Sequence, residues 1–147
     1  TKETMSDLHF TGVFPILVTP FTDDEHIDLT SFERVIDFMA QLAVDGVTIL
    51  GVLGESNRLI DAEREALIQT AVAASDGRIP IVVGTSHPGT HATLRLSQRA
   101  EDLGASAVMI TPSKENVPNE ARIFGIWAHP VKALRPKNTE NYTLNRK

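Results

Sequence analysis

From about residue 14 to residue 112, short apolar runs alternate with longer stretches whose apolar residues recur at i, i+3, i+4 and i+7. This is the rhythm of a β-α-β-α chain whose strands pair in parallel. Phe14-Pro15-Ile16-Leu17-Val18 reads as a first strand closed by Thr19-Pro20, with Pro15 tolerable near a strand's start or edge. Asp23 and Asp24 mark a turn, and Thr30-Ser31-Phe32-Glu33 fits a capping box at a helix start. Phe32, Val35, Ile36, Met39, Leu42 and Ala43 follow as one apolar stripe, and Gly46 is placed to end that helix as a left-handed cap.

Val47-Thr48-Ile49-Leu50 predicts the second strand, followed by a loop to Ile60 and a helix opened by Asp61 that packs through Leu67, Ile68, Ala71 and Val72 until Gly77 stops it. Residues 79–84 are nearly all apolar, as expected of a third strand buried on both faces. After a loop at 85–90, a helix with Leu94, Leu96, Ala100 and Leu103 near its inner side ends at Gly104. Ala107-Val108-Met109-Ile110 predicts strand four, closed by Thr111-Pro112. Units of about 30 residues suit βαβ crossovers, which bring every strand's C-terminal end, and so the loops of a site, to one edge. The pattern alone fits half a barrel or an open doubly wound sheet.

Beyond Pro112 the rhythm weakens. Residues 120–127 suit a short amphipathic helix interrupted by His129-Pro130, and residues 131–147 carry neither period, so the expected division is a folded unit over 1–130 and a polar, disordered tail over 131–147. The chain's 147 residues fall short of the ~250 of a complete eight-unit barrel. Charge divides the same way. The tail holds Lys132, Arg135, Lys137, Arg146 and Lys147 against Glu140, whereas the chain as a whole carries −5.

Acidity on that scale argues against nucleic acid as a partner. No apolar run is long enough to span a bilayer, and residues 1–10 lack the order of a signal peptide, so a cytoplasmic protein is expected. With no cysteine, any nucleophile is a hydroxyl, an amine or a carboxylate. His87-Pro88-Gly89-Thr90-His91 spaces two histidines as a helical metal pair would, but Pro88 and Gly89 put them in a loop without a third ligand; no metal and no cofactor is expected. Gly84-Thr85-Ser86 before a helix can receive an anion or simply be loop geometry. Asp61, Glu63 and Glu65 read as first-turn acids that complement a helix dipole.

Four segments in register resemble one family. Gly51-Val52-Leu53-Gly54-Glu55-Ser56 with Glu63 is similar to its Gly-Thr-Thr-Gly-Glu-Ser loop and following acid. Pro15-Ile16-Leu17-Val18-Thr19-Pro20-Phe21 is similar to its opening strand. Asp76-Gly77-Arg78-Ile79-Pro80 with Val83-Gly84-Thr85 resembles its third unit, and Leu103-Gly104-Ala105 with Ile110-Thr111-Pro112 its fourth. The resemblance, over about residues 12–124, is to the dihydrodipicolinate synthase and N-acetylneuraminate lyase family of Schiff-base aldolases.

It implies an incomplete (β/α)8 TIM barrel of about the first four βα units, a 2-oxo acid such as pyruvate as substrate, and a homo-oligomer. Family members cleave or form carbon–carbon bonds through an imine on a lysine near the end of strand six. Gly51, Val52, Leu53 and Gly54 would bind the substrate carboxylate through backbone amides. Glu55 would fix the loop's shape by hydrogen bonds. The departures are as informative. Val52 and Leu53 stand where synthase-type members carry threonines, and Ser113 and Lys114 where they carry tyrosines, so the hydroxyl proton relay loses its contributors. The Schiff-base lysine would lie about two units past Pro112. Of Lys2, Lys114, Lys132, Lys137 and Lys147, Lys114 alone sits at the expected edge and is a weak candidate. The expectation is a truncated, catalytically incomplete lyase or aldolase; the alternative is a non-catalytic half-barrel that binds or assembles with a partner across its open strand edge.

Overall fold

The strands run side by side in one direction, in the order β1 (Val47–Ile49), β2 (Ile81–Gly84), β3 (Ala107–Met109). Val47 lies opposite Ile81, and Val83 opposite Val108. The computed structural model describes residues 10–111. Among these, α1 (Leu29–Gln41) precedes β1, while α2 (Asp61–Ser75) and α3 (Thr90–Asp102) link the strands; a 3-10 turn (Ser56–Arg58) leads into α2. The predicted tail at 131–147, the helix at 120–127 and Lys114 lie outside the described residues.

The expected first strand survives as a single parallel bridge, Ile16 beside Thr48. The Leu17 N–H donates to the Thr48 carbonyl at 2.9 Å, and the Thr48 N–H to the Pro15 carbonyl at 2.8 Å. Pro15 has no N–H to extend the ladder one way. In the other direction Leu50 turns left-handed at φ 57°, taking its carbonyl out of line.

Because side chains alternate across a strand, this register puts Leu17, Val47, Ile49, Ile81 and Val83 on one face, where they are buried against Phe32 and Ile36 of α1, Leu67, Ile68 and Ala71 of α2, and Ala100 of α3. The opposite face carries Ile16, Thr48, Val82 and Met109; Ile16 is 48% and Met109 38% exposed. Residues 81–84 are thus deeply buried on the helix side only, not on both faces as their apolar run suggested.

The helix ends correct the sequence expectations in instructive ways. The cap of α1 is Asp28, not Thr30: its carboxylate accepts from the Ser31 N–H at 2.9 Å and the Ser31 hydroxyl at 2.6 Å. A carboxylate meets the freed amides better than a hydroxyl two residues inside the helix. At its far end Leu42 is the C-cap and Ala43, at φ 53°, takes the left-handed position expected of Gly46. The Ala43 N–H reaches the Ala40 carbonyl and the Val44 N–H the Met39 carbonyl, a Schellman closure. Gly46 serves close packing instead, since a Cβ there would stand 2.2 Å from the Phe14 ring. In α3 the same closure falls on Gly104 at φ 95°, as expected.

Glu63 accepts from the Ile60 N–H at 3.0 Å at the start of α2. Glu65 is no first-turn acid; it takes two hydrogen bonds from Arg99 at 2.8 and 2.7 Å and ties α2 to α3. The deepest positions of α3 are Thr93, Ser97 and Ala100 rather than Leu94 and Leu96, because buried hydroxyls there find acceptors. Thr93 donates to the His87 carbonyl at 3.1 Å, and Ser97 shares a hydrogen bond with Thr85 at 2.8 Å.

Candidate functional site

All C-terminal strand ends meet at one edge, where chain segments are joined across the sheet. The Thr19 hydroxyl, buried, donates to the Gly54 carbonyl at 2.7 Å. The Thr85 N–H donates to the Met109 carbonyl at 3.1 Å, and the Thr111 N–H to the Ser86 hydroxyl at 2.8 Å. The edge therefore gathers Thr19, the loop after β1, the loop after β2 and the residues leaving β3.

The glycine-bearing loop is the most constrained part of this edge. Two non-glycine residues in the left-handed region bracket it, Leu50 at φ 57° and Glu55 at φ 53°. Such conformations cost free energy and persist only where the surroundings impose them. The surroundings are visible here. A Cβ on Gly84 would stand 2.3 Å from the Leu50 carbonyl oxygen, so only glycine lets β2 pass this close. A Cβ on Gly54 would meet the Leu50 nitrogen at 3.2 Å and the Leu17 carbonyl at 3.3 Å.

Within the bracket, the Glu55 N–H closes on the Val52 carbonyl at 3.0 Å, and the Arg58 N–H on the Glu55 carbonyl at 2.8 Å. The amides of Val52 and Leu53 meet no acceptor among the described residues. Gly51 and Gly54 are buried, while the Val52 side chain is 96% and the Leu53 side chain 55% exposed. All four predicted residues thus lie in one turn, two of whose amides meet no acceptor among the described residues.

Glu55 shapes this loop through its backbone; its carboxylate faces Arg58 at 3.3 Å on the surface, which corrects the expectation that its side chain does the fixing. The side chains that do are Thr19 and Arg64. Arg64 on α2 sends both Nε and Nη2 to the Ser56 carbonyl, at 3.0 and 2.6 Å. Sequence reasoning missed both. A threonine closing a strand and an arginine inside a helix carry no periodic signal, and their partners are main-chain carbonyls in another segment, 35 and 8 residues away.

Beside the turn, Leu50, Ser56, Arg64, Gly84, Thr85 and Ser86 line a small recess of about 20 Å³, room for one water. The hydroxyls of Thr85 and Ser86 are already engaged, and α3 begins only at Thr90, so Gly84-Thr85-Ser86 does not present a helix start to an anion. His87 and His91 are exposed on different elements, and His87 Nδ1 accepts from the Gly89 N–H at 2.9 Å. No group of three His, Asp or Glu side chains among the described residues is arranged to hold a metal.

The carboxylates held below their ordinary range are Asp24, Asp28, Asp37 and Glu65, and none belongs to the turn. Hydrogen bonds from Thr22, Ser31, Arg78 and Arg99 respectively are the leading causes. All five lysines of the chain, Lys114 included, lie outside residues 10–111. No helix among the described residues is long and apolar enough to cross a membrane.

Comparison with known proteins agrees with this architecture. The model of the dihydrodipicolinate synthetase family matches residues 9–119. The chain is 37% identical over 123 residues to a 4-hydroxy-tetrahydrodipicolinate synthase of Salinibacter ruber, covering 84% of this chain and 40% of that protein. It is 38% identical over 127 residues to an L-2-keto-3-deoxyarabonate dehydratase of Azospirillum brasilense, covering 84% of this chain and 41% of the relative. A prophage protein of the dihydrodipicolinic acid synthase family from E. coli K12, solved in complex with pyruvate, superposes with a TM-score of 0.79 at 31% identity, over 85% of this chain and 42% of that one. The chain spans about 40% of the length of the curated relatives it matches. A match that begins before the first strand segment and runs past β3, on a parallel β/α frame with its glycine turn at the C-terminal edge, carries one conclusion: this chain belongs to the dihydrodipicolinate synthetase family and its described residues are part of that family's β/α barrel.

Proposed function

We propose that the chain contributes to the site of a carbon–carbon lyase or aldolase acting on pyruvate or a related 2-oxo acid, and that the turn of Gly51, Val52, Leu53 and Gly54 holds the acid's carboxylate. The observation that carries this reading is the pair of amides at Val52 and Leu53, without acceptors among the described residues and bracketed by two residues in a costly conformation. Support comes from the E. coli neighbour solved with pyruvate and from the Azospirillum relative named for a 2-keto acid.

In the chemistry that family membership suggests, a lysine amine adds to the keto carbon and water leaves, giving an imine. The imine draws electrons from the neighbouring carbon, which releases a proton and becomes nucleophilic toward an aldehyde; the reverse sequence cleaves the bond. Residues 10–111 supply no side-chain amine for this step, and none of the chain's five lysines stands at the strand-six position that the resemblance implies, so the expected behaviour of this chain by itself is to hold the carboxylate without forming a productive imine. Val52 and Leu53 bring no hydroxyl to a proton relay, which points to a divergent lyase or aldolase rather than a synthase of the two-threonine kind. The same reading makes the protein cytoplasmic and, in its working form, a homo-oligomer.

The test is titration of the 15N-labelled chain with pyruvate, followed by borohydride trapping and intact-mass measurement. Amide shifts centred on Val52 and Leu53, without a mass adduct, are expected. Absence of shifts there overturns the carboxylate assignment, and a stoichiometric adduct overturns the claim that the chain forms no imine.

A further inference from the structure

The carboxylate reading leaves open what keeps two exposed amides in a fixed turn. The turn is solvent-facing, its side chains at 52 and 53 are exposed, and its two left-handed residues would relax if released. Some contact must hold each end. At the Gly51 end this is backbone crowding, with the Leu50 carbonyl pressed against Gly84. At the far end Thr19 holds Gly54 and, two residues on, a guanidinium holds Ser56.

We infer that Arg64 is the positioning residue of the anion-binding turn, acting through the Ser56 carbonyl; the inference rests on the carboxylate reading above. Three features single it out. Its two nitrogens converge on one carbonyl oxygen at 2.6 and 3.0 Å, a charge-assisted clamp rather than a passing contact. Its side chain is only 19% exposed, while its acidic neighbour Asp61, 3.1 Å away, is 81% exposed, so the carbonyl is the sheltered partner and the carboxylate the peripheral one. And it lines the recess shared by Leu50 and Ser56, on either side of the turn, and by Gly84 of β2. Lysine cannot reproduce a two-nitrogen grip with one ammonium.

Arg64 touches no substrate in this arrangement. It fixes the residue that follows Glu55 and thereby keeps Glu55 left-handed, which sets the direction of the amides at Val52 and Leu53.

The experiment compares the full chain with Arg64→Lys, Arg64→Met and Asp61→Ala, each 15N-labelled. Three readouts are taken: thermal midpoint, heteronuclear NOE at the amides of Val52 and Leu53, and pyruvate affinity from shift titration. For Arg64→Lys and Arg64→Met the NOE at both amides falls and affinity drops about tenfold, as loss of one charge-assisted hydrogen bond implies. Asp61→Ala leaves both as in the parent, because the clamp on Ser56 remains. Should Arg64→Met fail to fold, Arg64→Lys carries the comparison. A lowered thermal midpoint with unchanged NOE and unchanged affinity would mean that Arg64 only stabilises the fold, and overturns the inference. If the parent chain shows no pyruvate shift, the carboxylate reading fails, while the NOE still decides whether Arg64 orders the turn.

Discussion

Two alanine and glycine positions perform the same task at the ends of different helices, and the contrast predicts a measurable difference. Ala43 and Gly104 are both the left-handed residue of a Schellman closure, at φ 53° and 95°. Only Ala43 carries a Cβ there, on an exposed residue with no packing to lose. Ala43→Gly is therefore expected to raise the unfolding free energy by about 1 kcal/mol in urea titration. At Gly84 the sign reverses. Alanine would set a Cβ 2.3 Å from the Leu50 carbonyl oxygen, and Gly84→Ala is expected to cost about 2 kcal/mol or more and to shift the amides of the turn in NMR spectra. Val52→Thr, by contrast, changes an almost wholly exposed side chain and is expected to leave stability within about 0.5 kcal/mol. The turn residues were singled out through the resemblance of residues 51–56 to the family's loop, not through any periodicity. The roles of Thr19 and Arg64 were not legible, since nothing in their own neighbourhood names the distant carbonyls they hold.

At the level of helices and strands, the apolar runs placed β1, β2 and β3 to within one or two residues. What they misjudged were polar residues in buried places. The inner line of α3 is threonine, serine and alanine, which hydropathy reads as surface, and α1 is capped from Asp28, ahead of the stripe that announced the helix. Ion pairs between elements were equally hidden. Asp37 of α1 pairs with Arg78 at 2.8 Å and Glu65 of α2 with Arg99 at 2.7 Å. Together with Asp28 these acids are expected to contribute to the acid sensitivity of the fold. Their folded values are lowered, so their contribution is fully present above the unfolded carboxylate range near pH ~4 and is lost as pH falls through the lowered values. The urea midpoint is expected to stay level from neutrality to about pH 5 and then decline. In Asp28→Asn/Asp37→Asn/Glu65→Gln the decline should be shallower, from a lower starting point. An equal slope in parent and triple variant would assign acid sensitivity to other groups.

At the scale of the whole fold, the helices among the described residues cover one sheet face and leave Ile16, Val18 and Met109 exposed on or beside the other. A parallel sheet is normally covered on both sides. The full chain is accordingly expected to self-associate with rising concentration in light scattering, and a concentration-independent monomer would contradict this. The sequence could not decide between a barrel segment and an open sheet because both share the same local units; resemblance of four segments in register, rather than periodicity, made the choice. One further property of residues 10–111 has a practical outcome: every side-chain amine is confined to the flanks. Exhaustive reductive methylation should therefore leave the side chains of residues 10–111 chemically untouched, glycine turn included, so amine-coupled dyes or surface attachment will reach the chain only through residues that flank this frame.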